Sequence, residues 1–126
     1  MKFDIDIVKS LLEFIEESDC YPEPIVHCSD KSQIELLSDV SRRVISYHLE
    51  RLIEAGLIDA KKRQNKGRAF FFIYGLTIEG HSFLANAKCD GVWKKIKDKL
   101  ESVKSFSLDI IKPLLIEYAK SVVFGT

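Results

Sequence analysis

The sequence predicts an α+β chain that is mostly helical, and three patterns support this class. Apolar residues recur at helical spacing over residues 4–18. Helical spacing returns at 41–58, with a serine at the start and a glycine near the end. Two runs typical of strands, 57–61 and 69–75, then flank a polar stretch that contains Asn and Gly. We therefore expect helices combined with a β-hairpin.

Composition favours a globular protein of the reducing cytoplasm. The 126 residues, 46% hydrophobic and 30% charged, suffice for one domain with one core. No apolar run reaches the roughly 18 residues that a membrane span needs. Asp4 and Asp6 stand where a signal peptide has a positive region followed by an apolar one. The odd number of cysteines (Cys20, Cys28, Cys89) lacks zinc-ribbon spacing and suits free thiols. We expect a cytoplasmic location and no membrane partner.

Charge is distributed unevenly, although the net charge is zero. Residues 1–40 carry 3 Lys/Arg against 10 Asp/Glu, and residues 41–126 carry 16 against 9. One part of the surface can therefore attract polyanions while the whole stays neutral. A helical surface of mixed charge that needs no partner is the alternative interpretation.

The first forty residues predict one helix followed by a less regular segment. The helix over 4–18 is stopped by Pro22 and Pro24. Residues 24–28 could form a short β-segment, and residues 33–37 either a strand or one to two helical turns.

The segment 41–58 has the clearest helix signal, with Ser41 as the N-cap of a helix over 41–55 and Gly56 as the C′ residue that follows it. His48 falls on the inner face, where we expect a core histidine with one bonded nitrogen. The inner face comprises Val44, Ile45, His48, Leu49, Leu52 and Ala55. The opposite face carries Arg43, Tyr47, Glu50 and Glu54, with Arg42 and Ser46 on its flank.

Three further helices are expected after the hairpin. Thr77 opens the first, which runs from Ile78 to about Lys88. Asp90 can cap the second, whose apolar stripe is Trp93, Ile96, Leu100 and Val103. Ser107 caps the last, and Pro113 inside it should kink the helix or delay its start.

A helix that ends in Ala-Gly-Leu-Ile and leads directly into a charged hairpin is typical of a winged helix. The sequence thus predicts a winged helix-turn-helix core with a two-stranded hairpin wing over residues 1–88. Residues 89–126 form a C-terminal helical extension, packed on this core or forming a dimer interface. Because residues 108–124 are more apolar than one packed helix face requires, we expect a homodimer through the C-terminal helices.

Several segments together resemble domain-of-unknown-function family 2513, hypothetical proteins of bacteria and their phages. The resemblance spans nearly the whole chain and depends mainly on ISYHLERLIEAGLI at 45–58 and LTIEGHSFL at 76–84, with DIDIVK at 4–9. It implies this fold and a bacterial or phage origin, and it implies no reaction. The chain departs from the family pattern at Arg42 and Arg43, where the family usually has acidic residues, and in a longer segment at 25–37.

The basic residues predict binding of double-stranded DNA by a small bacterial or phage transcription regulator. The N-terminal turns of the helix at 41–55 would enter the major groove, and the hairpin would contact phosphates along the backbone or in the minor groove. The candidate DNA-binding residues are Arg42, Arg43, Ser46 and Tyr47 on the helix and Lys62, Arg63, Lys66 and Arg68 on the hairpin.

A protein-interaction module on the same scaffold is the alternative, because the carboxylates of Glu50 and Glu54 would repel phosphates. No motif of a nucleophile, a phosphate loop or a metalloprotease is present, so we expect no enzyme and no cofactor. His27 and Cys28 are adjacent rather than spaced as zinc ligands, so no metal site is expected. Strand packing with alternate rings buried explains residues 70–72 better than a base-stacking platform does.

Overall fold

The computed structural model describes residues 3–18, 23–28, 31–34, 40–101 and 108–123. Within these ranges the chain forms five helices and one sheet of three antiparallel strands, which confirms the predicted α+β class. The element order is α1 (Ile5–Ser18), β1 (Ile25–Cys28), α2 (Arg42–Glu54), β2 (Ile58–Asn65), β3 (Arg68–Leu76), α3 (Ile78–Ala87), α4 (Asp90–Glu101) and α5 (Leu108–Val123). Of the helices described, none is both long enough and apolar enough to cross a bilayer.

Among the described residues between α1 and α2 there is a strand, β1, which confirms the short β-segment that the sequence allows at 24–28. β1 pairs with β3, and its His27 also makes an isolated bridge to Ser32 on the opposite edge. Two backbone hydrogen bonds connect β1 to residues 31–33. Cys28 N–H donates to the Lys31 carbonyl, and Gln33 N–H donates to the Val26 carbonyl. The sequence predicts either a strand or one to two helical turns at 33–37. Residues 35–37 of this range lie outside the described residues.

The predicted ends of α2 are confirmed. The Ser41 hydroxyl accepts a hydrogen bond from Val44 N–H at 3.2 Å, which satisfies one of the free donors at the helix start. Gly56 follows the last turn with φ +74°, a left-handed conformation that glycine adopts without steric cost. The predicted inner face is the packed one, since Ile45, Leu49 and Leu52 are fully buried.

The hairpin is confirmed, but its strands are longer than the sequence suggested. The polar stretch between the predicted strands is itself mostly strand, because β2 continues to Asn65 and β3 begins at Arg68. Only Lys66 and Gly67 form the turn, and both have positive φ, 54° and 78°. Two such residues make a turn whose twist matches that of the strands. Apart from Lys66 in the turn, the basic side chains therefore project from a regular ladder rather than from a loop.

The sheet has the order β1-β3-β2, so β3 is the central strand. Its inner face buries Phe71 and Ile73, which lie opposite His27 and Ile25 of β1. The register of β2 against β3 shifts between Asp59 and Ala60, which skips one residue of β3. Beyond this bulge every residue of 61–68 is exposed, so the hairpin tip extends past the core.

The last three helices bury their apolar residues in the same core as α1, α2 and the sheet. Lys112 of α5 donates to the Ala55 carbonyl at the C-terminal end of α2 and pairs with Glu79 of α3 at 2.7 Å. A cation at this end of a helix complements the partial negative charge of its last carbonyls.

Details of these helices differ from the predictions. Thr77 caps α3 as expected, by accepting from Gly80 N–H at 3.0 Å. Asp90 is the first residue of α4 rather than its cap. Pro113 lies inside α5 without delaying its start, because the helix already begins at Leu108. Val103 and Ser107 lie outside the described residues.

Candidate nucleic-acid interface

Two arginines occupy the first turn of α2, directly after the Ser41 cap. The side chains of Arg42 and Arg43 are exposed. The first backbone N–H groups of a helix carry partial positive charge, so this end of α2 adds to the field of the two guanidinium groups. The first turn of α2 is therefore suited to an anionic partner.

His27 of β1 contacts the start of α2 from the sheet. Its Nε2 lies 3.1 Å from the Arg42 carbonyl and 3.0 Å from the Ser46 hydroxyl, and its Nδ1 lies 2.6 Å from the Ser32 hydroxyl. Since a carbonyl only accepts, the ring carries its proton on Nε2 and accepts from Ser32. The ring is fully buried, and burial lowers the pKa of the His27 imidazole below its ordinary value of 6.5. A neutral histidine thus links the sheet to the start of α2.

The other two predicted residues of α2 are half-buried. The Ser46 hydroxyl contacts His27, as described above. The Tyr47 ring packs edge-on against His48 at 5.1 Å between centroids and lies 5.3 Å from the Arg51 guanidinium carbon. Tyr47 also lines a cleft of about 320 Å³ between α2 and the start of α5. Arg42 and Arg43 are therefore the predicted helix residues with the greatest access to a partner.

His48 is a core histidine as expected, but both of its nitrogens are bonded rather than one. Its Nδ1 donates to the Val44 carbonyl at 2.8 Å, and its Nε2 accepts from Asp4 N–H at 2.9 Å. Burial is the main cause that lowers the pKa of His48, with the Asp4 carboxylate acting in the opposite direction. The chain segment before α1 is thereby joined to the middle of α2.

The predicted hairpin residues lie on β2, on β3 and in the turn between them. Arg63, Lys66 and Arg68 are exposed, and Arg63 lies opposite Phe70 in the ladder. Lys62 lies opposite Phe71, so it projects toward the face that packs on α2. Its ammonium group pairs with the Glu50 carboxylate at 2.9 Å. This ion pair connects the hairpin to the exposed side of α2.

A groove separates α2 from the hairpin and joins the two predicted sets. It encloses about 330 Å³ and is lined by Arg43, Ser46, Tyr47, Glu50, Lys62, Ala69 and Phe71. The structure thus brings Arg43, Ser46, Tyr47 and Lys62 together. It places Arg63, Lys66 and Arg68 further along the hairpin, outside the lining of the groove.

Among known protein families, one matches most of this chain. The model of the family described as "Hypothetical protein (DUF2513)" matches residues 2–107, which is most of the chain. The chain belongs to this family. It is also similar to an uncharacterised protein of Haemophilus influenzae, with 26% identity over 127 residues that cover 98% of this chain and 96% of that protein. No solved structure matches.

Two features of this DUF2513 chain were not foreseen from the sequence as parts of the interface. His27 supports the first turn of α2, and the alternation of Ile25 and His27 along a strand could have signalled that it faces inward. Arg51 holds Glu54 at 2.9 Å, so the second α2 carboxylate is also paired. The Arg51–Glu54 spacing of three residues was a usable signal.

Metal ligands do not cluster in the described part of the chain. No group of three His, Cys, Asp or Glu residues there could hold a metal ion. The Cys28 thiol is buried and accepts from Lys31 N–H at 3.4 Å, and Cys89 is half-buried. His81, by contrast, is exposed and lies 3.4 Å from Glu16 of α1. Cys20 lies outside the described residues.

Proposed function

We propose that this DUF2513 protein binds double-stranded DNA through a winged-helix surface and acts as a small bacterial or phage transcription regulator. The observation that carries the proposal is the groove that joins Arg43 of α2 to Lys62 of the hairpin, beside the exposed Arg42 and the exposed cations of the hairpin tip. Recognition helices approach bases with their N-terminal residues, and arginine is the residue best suited to a bidentate contact on guanine. Hairpin cations would contact phosphates.

The connection between the two elements supports the winged-helix assignment. α2 passes through three residues, 55–57, into β2, and the next strand, β3, returns between β2 and β1. This arrangement places the hairpin beside α2, and the Lys62–Glu50 ion pair lies between the two elements. A hairpin next to a helix can follow the phosphate backbone while the helix lies in the groove.

The alternative, a protein-interaction module, depended on the two carboxylates of α2. Both have partners, Lys62 for Glu50 and Arg51 for Glu54. Pairing reduces the repulsion that each carboxylate would exert on a phosphate, which favours the DNA proposal. Such exposed pairs contribute little to stability, about 0–1 kcal/mol, so their effect on the local field is the more relevant one.

Substitutions should separate base contacts from phosphate contacts. Arg43→Ala is expected to weaken binding to a preferred duplex by about 1–3 kcal/mol and to relax its sequence preference. Lys66→Ala should weaken all duplexes alike and lower the magnitude of the log–log salt slope by about one. Lys62→Ala should have a larger effect than Lys66→Ala, because it also leaves Glu50 unpaired. Fluorescence anisotropy with labelled duplexes at several salt concentrations measures all three.

The matched control is Lys95→Ala, which removes an exposed lysine of α4. It should leave the affinity and the salt slope near their wild-type values. Equal losses in the Lys95, Lys66 and Arg43 variants would instead indicate a general charge effect. Salt-insensitive binding to a protein, with no duplex binding, would favour the interaction module.

We also propose a homodimer formed through the C-terminal helices. The exposed face of α5 carries Ile110 and Ile116, whose exposed fractions are 44% and 51%, together with Pro113. Light scattering at high micromolar concentration should give about twice the chain mass of 14.4 kDa, and Ile116→Glu should return it to the chain mass, because dimerisation would bury this side chain. A monomeric wild-type protein would contradict the proposal, and Lys66→Glu at the exposed hairpin tip, away from α5, serves as the control substitution.

A further inference from the structure

The inner face of the sheet packs on the core, whereas its outer face carries aromatic and basic side chains. On the central strand β3, Phe70 and Phe72 point away from Phe71 and Ile73, because successive side chains of a strand alternate. Phe72 lies opposite Lys61 of β2, and Phe70 lies opposite Arg63. Each outward ring therefore has a cationic residue beside it on the neighbouring strand.

These rings are not part of the core. Phe70 and Phe72 are partly exposed, and neither belongs to the apolar side chains that pack on the buried cluster. Strand packing with alternate rings buried, which the sequence predicts for 70–72, accounts for Phe71, which is buried, and leaves Phe70 and Phe72 on the other face. The two half-buried rings leave part of their surface in water, and this surface would bind an apolar, planar partner favourably.

The charge of this face is positive. Lys61 and Arg63 are exposed, and neither forms an ion pair with any residue that the structure describes. On β1, the residues opposite the two rings are Val26 and Cys28, neither of which carries a carboxylate. The face thus combines aromatic rings and cations without an acidic residue opposite either ring.

Two cavities continue this face on either side of Phe70. One, of about 480 Å³, lies toward β1 and includes Lys31 and Arg42 in its lining. The other, of about 380 Å³, lies toward the hairpin tip and includes Lys66 and Arg68. The lining of each cavity contains Phe70 and two basic residues and no carboxylate. Positive charge therefore extends along the sheet in both directions from the ring.

We propose that the outer face of the sheet binds single-stranded nucleic acid, with bases stacked on Phe70 and Phe72 and phosphates on Lys61 and Arg63. Aromatic rings that bases can reach and a positively charged groove are the two elements of single-strand binding sites, since every base has a face that can stack. Phe70 and Phe72 are partly exposed beside Lys61 and Arg63. A duplex does not satisfy this face, because its bases are already stacked on each other. The inference goes beyond the duplex proposal and does not depend on it.

The test uses the full chain and a labelled 12-mer of deoxythymidine, which cannot form a duplex with itself. Phe72→Leu keeps an apolar side chain but removes the ring, and we expect it to weaken binding at least about fivefold. Phe72→Trp keeps a ring, and its fluorescence should be quenched by the oligonucleotide while affinity stays near that of the wild type. Trp93, 6% exposed, supplies a constant background. Thermal melts confirm that both variants fold.

Arg43→Ala separates this proposal from the duplex proposal, because it should leave oligonucleotide binding unchanged. Affinity of Phe72→Leu within about twofold of the wild type would overturn the single-strand site, as would absence of wild-type binding at low salt. Self-association that Phe72→Leu abolishes would also overturn it, by assigning the face to a second copy. If anionic phospholipid vesicles quench the fluorescence of Phe72→Trp and the oligonucleotide does not, the single-strand site is also overturned, and the face is assigned to a membrane surface.

Discussion

Replacing Gly80 with alanine is expected to lower the free energy of unfolding by about 3 kcal/mol, at the upper end of the usual cost of overpacking. A Cβ atom at this position would lie 1.9 Å from the Leu57 carbonyl oxygen and 2.9 Å from the Leu57 carbonyl carbon. Both are backbone atoms of the connection between α2 and β2, so no side-chain rotation can relieve the contact.

The same contact region holds several hydrogen bonds that a shift would disturb. Thr77 N–H donates to the Leu57 carbonyl at 3.1 Å, and the Thr77 hydroxyl donates to the Gly56 carbonyl at 2.6 Å. Gly80 is therefore the residue that lets α3 approach the end of α2 closely.

Gly91→Ala provides the matched control for this substitution. Gly91 also lies in a helix, α4, but a Cβ there would meet no atom within 4 Å. We expect this variant to be as stable as the wild type or more stable by up to about 1 kcal/mol, since alanine favours the helix. Chemical denaturation measures both. A Gly80→Ala variant as stable as Gly91→Ala would contradict the close approach of α3 to Leu57.

Stability should fall as the pH is lowered from 7.5 to 5.5, because two buried histidines are neutral in the fold. Burial lowers the pKa of both His27 and His48 below 6.5. The unfolded chain then binds more protons than the folded chain below about pH 6.5, so stability is fully present above that pH and is lost below it. Each imidazole contributes up to about 1.4 kcal/mol per pH unit in this window.

The local contacts agree with this direction. Nε2 of His48 accepts a hydrogen bond from Asp4 N–H. Protonation of this nitrogen would therefore point two hydrogens at each other. Protonation of His27 would place a proton on Nδ1, which now accepts from the Ser32 hydroxyl, so this hydroxyl would have to turn its own proton away; the charge of Arg42 also opposes the cation. The carboxylate of Asp4 opposes the trend at His48 without reversing it.

Denaturant titrations at pH 7.5, 6.5 and 5.5 measure the effect. His27→Gln and His48→Gln should each be less stable at pH 7.5 but show a smaller loss between pH 7.5 and 5.5 than the wild type. The lowered pKa values of the Asp6 and Glu16 carboxyl groups place their titration below this window. A wild-type protein of constant stability over the window would show that neither imidazole is held neutral.

Local signals made much of the fold predictable. The Ser41 cap, the glycine at 56 and the apolar face of α2 each follow from residues a few positions apart. The full length of the hairpin could not be predicted from nearby residues, because Lys, Arg and Gln do not favour strands by themselves. Pairing with β3 brings residues 62–65 into the ladder.

The candidate interface was only partly predictable for a similar reason. Its exposed cations can be read from the sequence, whereas its support depends on contacts between distant residues. His27 reaches Arg42 and Ser46 across 15 and 19 positions, and Lys62 reaches Glu50 across 12. The outward rings of β3 also required the sheet register, since the sequence alone does not say which face of the sheet is covered.

The most direct test of duplex binding by α2 and the hairpin is titration of the wild-type protein with random-sequence duplex DNA at 50 and 200 mM salt. Phosphate contacts by the four hairpin cations (Lys62, Arg63, Lys66 and Arg68), with Arg42 and Arg43 directed at the bases, predict an affinity of about 100 µM or tighter at the lower salt. The log–log salt slope should then be about −4, since each phosphate contact contributes about −0.9. Absence of binding tighter than about 100 µM at low salt, or an affinity that does not change with salt, would contradict the account.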